Sequence, residues 1–228
     1  MPSPIIIALD LDFKDSLNLA RKLDPNKCKL KVGSQLFTSS GPKVITILKD
    51  LGFEIFLDLK FHDIPNTVSS SVLSSVELGV WMVNVHASGG EEMLEAAVSV
   101  LKKVEKRPLL IGVTLLTSLD QISIEKIGIK INLKDQVIRL TKMCKEKGLD
   151  GVVCSPQEIS DIRKEIGKDF LLVTPGIRTN SNLVHDQKRT ATPKEAIENG
   201  ANYIILGRDV LQSINPSKEV EKIYKEIS

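Results

Sequence analysis

Asp58, Lys60 and Asp63 fall within six positions of one another, directly after the apolar run Ile55-Phe56-Leu57. On a strand, Asp58 and Lys60 leave the same face, while Leu57 and Leu59 point to the other. Burying a carboxylate and an ammonium costs roughly several kcal/mol each unless they are paired, and Asp63 and Lys31 are the partners within reach of the pattern. Such a run either sets strand register as an ion-pair ladder or marks a functional site that needs buried charges. Other apolar runs also end in polar residues: Asp10, Lys31, His86, Thr114, Thr117 and Arg208, with Arg178 just beyond another. A purely structural core needs none of them, so their number favours chemistry.

A second group suits an anion. Thr174-Pro175-Gly176-Ile177-Arg178 and Leu206-Gly207-Arg208-Asp209 each follow an apolar run. Glycine lets backbone N–H groups approach a phosphate, a following helix start adds partial positive charge, and Arg208 offers a bidentate fork. A phosphate monoester is the expected ligand. Residues 178–192 are polar and lack apolar periodicity, the character of a lid, with Gln187 and Arg189 as candidate contacts. His62 and His185 have no metal-like spacing with any partner, and His86 reads as a satisfied barrel residue, so no metal site is expected.

Residues at the ends of many separate apolar runs need a frame that gathers those ends. Runs rich in β-branched residues at 5–10, 29–33, 55–60, 82–87, 109–116, 151–154, 171–176 and 203–208 alternate with amphipathic stretches, the pattern of βα units around a parallel sheet. Eight such units predict a single (β/α)8 TIM barrel over 1–228, whose active site sits at the C-terminal strand ends. Glycines at Leu51-Gly52, Leu78-Gly79, Lys147-Gly148 and Asn199-Gly200 predict helix ends just before strands. Pro65-Asn66-Thr67 with the Val68/Val72/Val76 spacing predicts a helix start after the third strand. An open doubly wound sheet fits less well, because no Gly-x-Gly-x-x-Gly follows the first strand.

Composition removes several function classes. With 31 Lys+Arg against 29 Asp+Glu, the net charge of +2 is too small to argue for nucleic acid or a membrane surface, so any anion must be met locally. Aromatic residues are only 4%, too few for base-stacking platforms. Cys28, Cys144 and Cys154 are odd in number and unpaired in spacing, which suggests neither disulfides nor zinc and fits a reducing cytoplasm. The first ten residues have no basic region, and Asp10 breaks their apolar run, so they read as a buried strand.

Taken together, these stretches resemble the orotidine 5′-phosphate decarboxylases, nearly end to end. The resemblance is carried by Ala8-Leu9-Asp10, Lys31-Val32-Gly33, Asn84-Val85-His86, Val113-Thr114, Leu116-Thr117-Ser118, Thr174 to Arg178, Asp186-Gln187 and Gly207-Arg208. Its most specific part is the ten-residue run Asp58-Leu59-Lys60-Phe61-His62-Asp63-Ile64-Pro65-Asn66-Thr67. It implies a cofactor-independent conversion of orotidine 5′-monophosphate, a nucleoside monophosphate, to uridine 5′-monophosphate and CO2 in pyrimidine biosynthesis. Lys60 would be the proton donor to C6, within a charged array of Asp58, Lys31 and Asp63. Asp10 and Lys31 would meet the ribose, Thr117 the pyrimidine side, and Gln187, Gly207 and Arg208 the phosphate, with Arg178 at the start of the lid. Asp63 and Thr67 would reach the partner's site in a homodimer. Val80-Trp81 and Thr179-Asn180-Ser181-Asn182 depart from the pattern, at no catalytic position.

Loss of CO2 without an electron sink leaves a carbanion-like centre that needs a fixed cation and a proton, and Lys60 is both. A magnesium-dependent sugar-phosphate enzyme on the same barrel is the enzymatic rival. Lys31, where such an enzyme would carry an acidic metal ligand, argues against it. A phosphate-sensing barrel is the non-enzymatic rival, and it would not require the Lys60 array.

Overall fold

The aliphatic runs form eight strands: β1 (Ile5–Ala8), β2 (Lys29–Gly33), β3 (Ile55–Phe61), β4 (Met82–His86), β5 (Leu109–Val113), β6 (Gly151–Val153), β7 (Leu171–Thr174) and β8 (Tyr203–Leu206). They come from a computed structural model of the chain that describes residues 3–179 and 190–227. Each strand pairs in parallel with the next, and β8 returns to β1, closing the barrel. Among the described residues, the helices are α1 (Phe13–Ala20), α2 (Ser34–Ser40), α3 (Lys43–Asp50), α4 (Pro65–Glu77), α5 (Glu91–Leu101), α6 (Gln121–Lys126), α7 (Leu133–Glu146), α8 (Ile159–Ile166), α9 (Pro193–Glu198), α10 (Arg208–Leu211) and α11 (Pro216–Ile227). None is long and apolar enough to cross a membrane.

Both faces of each strand are buried, which is why the runs read as nearly continuous apolar sequence. Ile5, Ile7, Leu30, Val32, Ile55 and Leu57 face outward into the layer shared with the helices. Ile6, Ala8, Phe56, Met82, Ile111, Val113, Val153, Val173 and Ile205 fill the barrel. On β3 the inward residue Phe56 is followed two positions on by Asp58, so the carboxylate stands one step above the apolar filling. The barrel floor is closed by Lys29, which pairs with Glu54 at 2.7 Å and lies 4.9 Å from the Trp81 ring centre. Trp81 meets Tyr203 edge-on at 5.0 Å, so the unusual Val80-Trp81 pair is absorbed as an aromatic plug far from the strand tops.

Several strands end earlier than their apolar runs. β1 stops at Ala8, β5 at Val113, β7 at Thr174 and β8 at Leu206, leaving Asp10, Thr117, Gly176 and Arg208 above the barrel on loops or, for Arg208, on the first turn of α10. Apolar sequence continues past the point where neighbouring strands still offer ladder partners, and it is the partners that end a strand. The chain after β5 carries α6, capped by Asp120, whose carboxylate accepts from the Ser123 N–H at 2.9 Å.

Candidate active site

β2 and β3 place three charged groups side by side at the top of the barrel. Lys31 Nζ lies 3.1 Å from Asp58 Oδ2 and 3.4 Å from Asp10 Oδ1. Lys60 Nζ donates to Asp58 Oδ1 at 2.7 Å. Asp58 is buried between the two ammonium groups, and the Asn84 side-chain amide also donates to its Oδ1 at 2.7 Å. Burial alone would push the Asp58 carboxyl up; Lys31, Lys60 and the hydrogen bonds from Lys60 and Asn84 outweigh it and hold it below the usual carboxylate range. Burial likewise works against the Lys31 ammonium, but Asp58 and Asp10 raise its pKa above the usual lysine value. Both groups therefore stay charged near neutrality.

Lys60 reaches this position by a route that simple strand alternation does not describe. Leu57 pairs with Val83 and Phe61 with Val85, so Asp58, Leu59 and Lys60 all stand opposite the single residue Asn84. Within this bulge Lys60 adopts φ 53°, in the left-handed region, and it is the one non-glycine residue with positive φ among the described residues. Its backbone N–H donates to Asn84 Oδ1 at 2.8 Å. Asn84 is missing from the candidate residues read from sequence, although Asn84-Val85-His86 belongs to the matched stretches. Its signal is an amide in the middle of an apolar strand, in step with the inward-facing Met82.

The site opens into a cavity of about 230 Å³. Of the candidate residues, Asp10, Lys31, Asp58, Lys60, Thr117, Arg178, Gly207 and Arg208 line it, joined by Gly176. β3 and β7 are four strands apart in a ring of eight, so Asp58 and Lys60 face the Gly176/Arg178 loop across the cavity, while the Gly207/Arg208 loop follows β8, which pairs with β1 beside Asp10. Asp63 and Thr67 do not join them: both are exposed, and the Asp63 carboxylate accepts from the Ile64 N–H at 2.7 Å instead of approaching Lys60. Gln187, like most of the expected lid, lies outside the described residues. The ends of that segment are held together, with Ile177 bridging to Ala191 and the Arg178 N–H donating to the Ala191 carbonyl at 2.9 Å. Thr179 donates from its backbone and its hydroxyl to Asp209 on α10.

His86 ends β4 half-buried, its ring 5.3 Å from that of His62. Burial, then His62 and Lys60, push its pKa below the ordinary histidine value, and Asp58 opposes them. Thr114, the residue after β5, is buried and donates to the Val153 carbonyl at the end of β6 at 3.0 Å, and it does not line the cavity.

Comparison with known proteins agrees with this geometry. The orotidine 5′-phosphate decarboxylase/HUMPS family model matches residues 3–223. The orotidine 5′-phosphate decarboxylase of Marinomonas sp. (strain MWYL1) is 51% identical over 216 residues, covering 94% of this chain and 92% of the relative. That of Glaesserella parasuis serovar 5 is 47% identical over 230 residues, with full coverage of both chains. Among solved structures, the orotidine 5′-phosphate decarboxylase of Lactobacillus acidophilus superposes with a TM-score of 0.88 at 38% identity, covering 99% of each chain. The enzyme of that name from Pyrococcus horikoshii gives 0.79 at 26% identity over 98% of each chain. The barrel, the charged array on β3 and the end-to-end likeness lead to one assignment: the chain belongs to the orotidine 5′-phosphate decarboxylase/HUMPS family.

Proposed function

We propose that this chain decarboxylates orotidine 5′-monophosphate to uridine 5′-monophosphate and CO2 without a cofactor, with Lys60 delivering the proton to C6. The observation that carries the reading is the Lys31–Asp58–Lys60 array, an ammonium held 2.7 Å from a buried carboxylate in one cavity with two Gly/Arg loops. A nucleoside monophosphate fits this polarity: phosphate against Gly207, Arg208 and Arg178, ribose against Asp10 and Lys31, base toward Lys60 and Thr117. When the bond from C6 to the carboxylate carbon breaks, its electron pair stays on C6 and takes the Lys60 proton, and the amine recovers a proton from water. The fixed ammonium stabilises that charge as it develops, in a site already organised to receive it. Remote phosphate binding supplies orientation energy to the reacting end.

A magnesium-dependent sugar-phosphate reaction on the same barrel would need open carboxylate oxygens. Here Asp58 Oδ2 is engaged by Lys31, and Oδ1 by Lys60 and Asn84. Asp63 and Thr67 complete the site of a partner subunit in a homodimer. Their exposure in this chain supports that arrangement, as does the apolar Ile64 that follows Asp63, 67% exposed. Three buried thiols suit a reducing cytoplasm.

The test is loss of orotate absorbance when purified protein meets orotidine 5′-monophosphate, repeated in excess EDTA. Turnover persisting in EDTA is the expected result, and no absorbance loss at all defeats the reading. Lys60→Ala should lose turnover by at least ~10²–10⁴-fold, the usual worth of a positioned proton donor, while still binding uridine 5′-monophosphate. Turnover retained in that variant removes Lys60 from the role.

A further inference from the structure

We infer that Asn84 is a positioning residue for the proton donor, holding the Lys60 backbone and the Asp58 carboxylate in register with one side-chain amide; this rests on the decarboxylase reading. The ladder between β3 and β4 fails where the chemistry sits, since three residues of β3 face Asn84 alone. A bulge leaves N–H groups without strand partners, and a left-handed lysine persists only where its surroundings hold it there. Asn84 supplies the missing partner from its side chain. Its Oδ1 accepts the Lys60 N–H at 2.8 Å, and its Nδ2 donates to Asp58 Oδ1 at 2.7 Å. The same Asp58 oxygen receives Lys60 Nζ, so amide, carboxylate, ammonium and lysine backbone close a ring.

Only a carboxamide serves both ends at this reach. It offers one acceptor and a pair of donors, whereas a carboxylate would set acceptors against Asp58 and an aliphatic chain would leave the Lys60 N–H unmet. Asn84 has no exposed surface and does not line the cavity, so it acts through Lys60 and Asp58 and not on the substrate. The charged and titratable groups around it are Asp58 and Lys60 on β3, Lys31 on β2, His86 at the end of its own strand, and His62 against His86. Its β5 neighbour, Ile111, is apolar.

Asn84→Ala and Asn84→Asp should be compared with the unmodified enzyme for kcat and KM between about pH 5 and 8, and for uridine 5′-monophosphate affinity. A misplaced reacting group costs about 10²-fold, so Asn84→Ala should lose about that much in kcat while KM and product affinity stay within about threefold. In Asn84→Asp, the introduced carboxyl repels Asp58 when ionised. When protonated it donates to Asp58 and still accepts from Lys60, so kcat relative to the unmodified enzyme should rise as pH falls. That ratio is a readout that mere support of the strand would not move, and it holds even where the alanine variant fails to fold. A kcat for Asn84→Ala within threefold of the unmodified enzyme overturns the inference, as does a ratio for Asn84→Asp that is flat with pH. Absence of turnover in the unmodified enzyme overturns the decarboxylase reading instead.

Discussion

His86 shows how the charged array affects stability as well as chemistry. Burial, the neighbouring His62 ring and the Lys60 ammonium favour its neutral form, against the pull of Asp58. In the unfolded chain the same imidazole takes a proton near pH ~6.5. Below that point the unfolded state binds more protons than the folded one. The stabilisation is therefore present above the ordinary histidine value and lost as pH falls through the lower folded value. Asp58, also lowered, keeps its contribution until pH drops into and below the ordinary carboxylate range, so the two losses fall in separate windows. His86→Asn should flatten the decline of Tm between about pH 7 and 5. An unchanged slope there would assign the decline to other groups. At this level the sequence was informative about charge and silent about its scaffolding. Asp58, Lys60 and Lys31 stood out because ions are rare on inward strand positions. Asn84 did not, because an amide gains its meaning only once a bulge turns the Lys60 N–H toward it. Asp63 stood out equally, yet in this chain it turns away to the Ile64 backbone.

The strands were legible as continuous apolar runs, and their number fixed the barrel, because a strand buried on both faces admits few polar residues. Their ends were less so: Arg208 follows Leu206-Gly207 without a break in pattern, but it begins a helix, the ladder to β1 ending at Ile7–Leu206 and that to β7 at Thr174–Ile204. The bulge in β3 was invisible for the same reason, being a mismatch of two ladders and not a property of either strand. β6 gives a direct test of how tightly this frame is built. It spans only Gly151–Val153, and Gly151 pairs with Ile111 on one side and Leu171 on the other. A Cβ at Gly151 would overlap the carbonyl oxygen of Leu171, a backbone atom that no rotamer change can move. Gly151→Ala should therefore destabilise the fold by about 1–3 kcal/mol, the cost of overpacking. For a chain of this size that is roughly a 2–12 °C fall in Tm. A thermal melt matching the unmodified chain would show that β6 and β7 can separate at this point.

A net charge of +2 spread over 228 residues gives the molecule little long-range field, whereas charged side chains are concentrated around one cavity. Within one chain its lining includes Lys31, Asp58, Lys60, Arg178 and Arg208, but not Asp63 or Thr67, which stand exposed just before α4 and in its first turn. If a two-fold partner receives them, each active site is built from both subunits, and the two halves can be inactivated separately. Lys60→Ala and Asp63→Ala chains should each be nearly inactive alone. Mixed in equal amounts and allowed to exchange, half of the dimers contain one of each. Every mixed dimer then holds one site with both defects and one with neither, so activity should recover to roughly a quarter of that of the unmodified enzyme. Subunit exchange is verified independently by mass-tagging one variant. Full exchange without recovery of activity would place Asp63 in the site of its own chain and require the segment after β3 to fold back over Lys60.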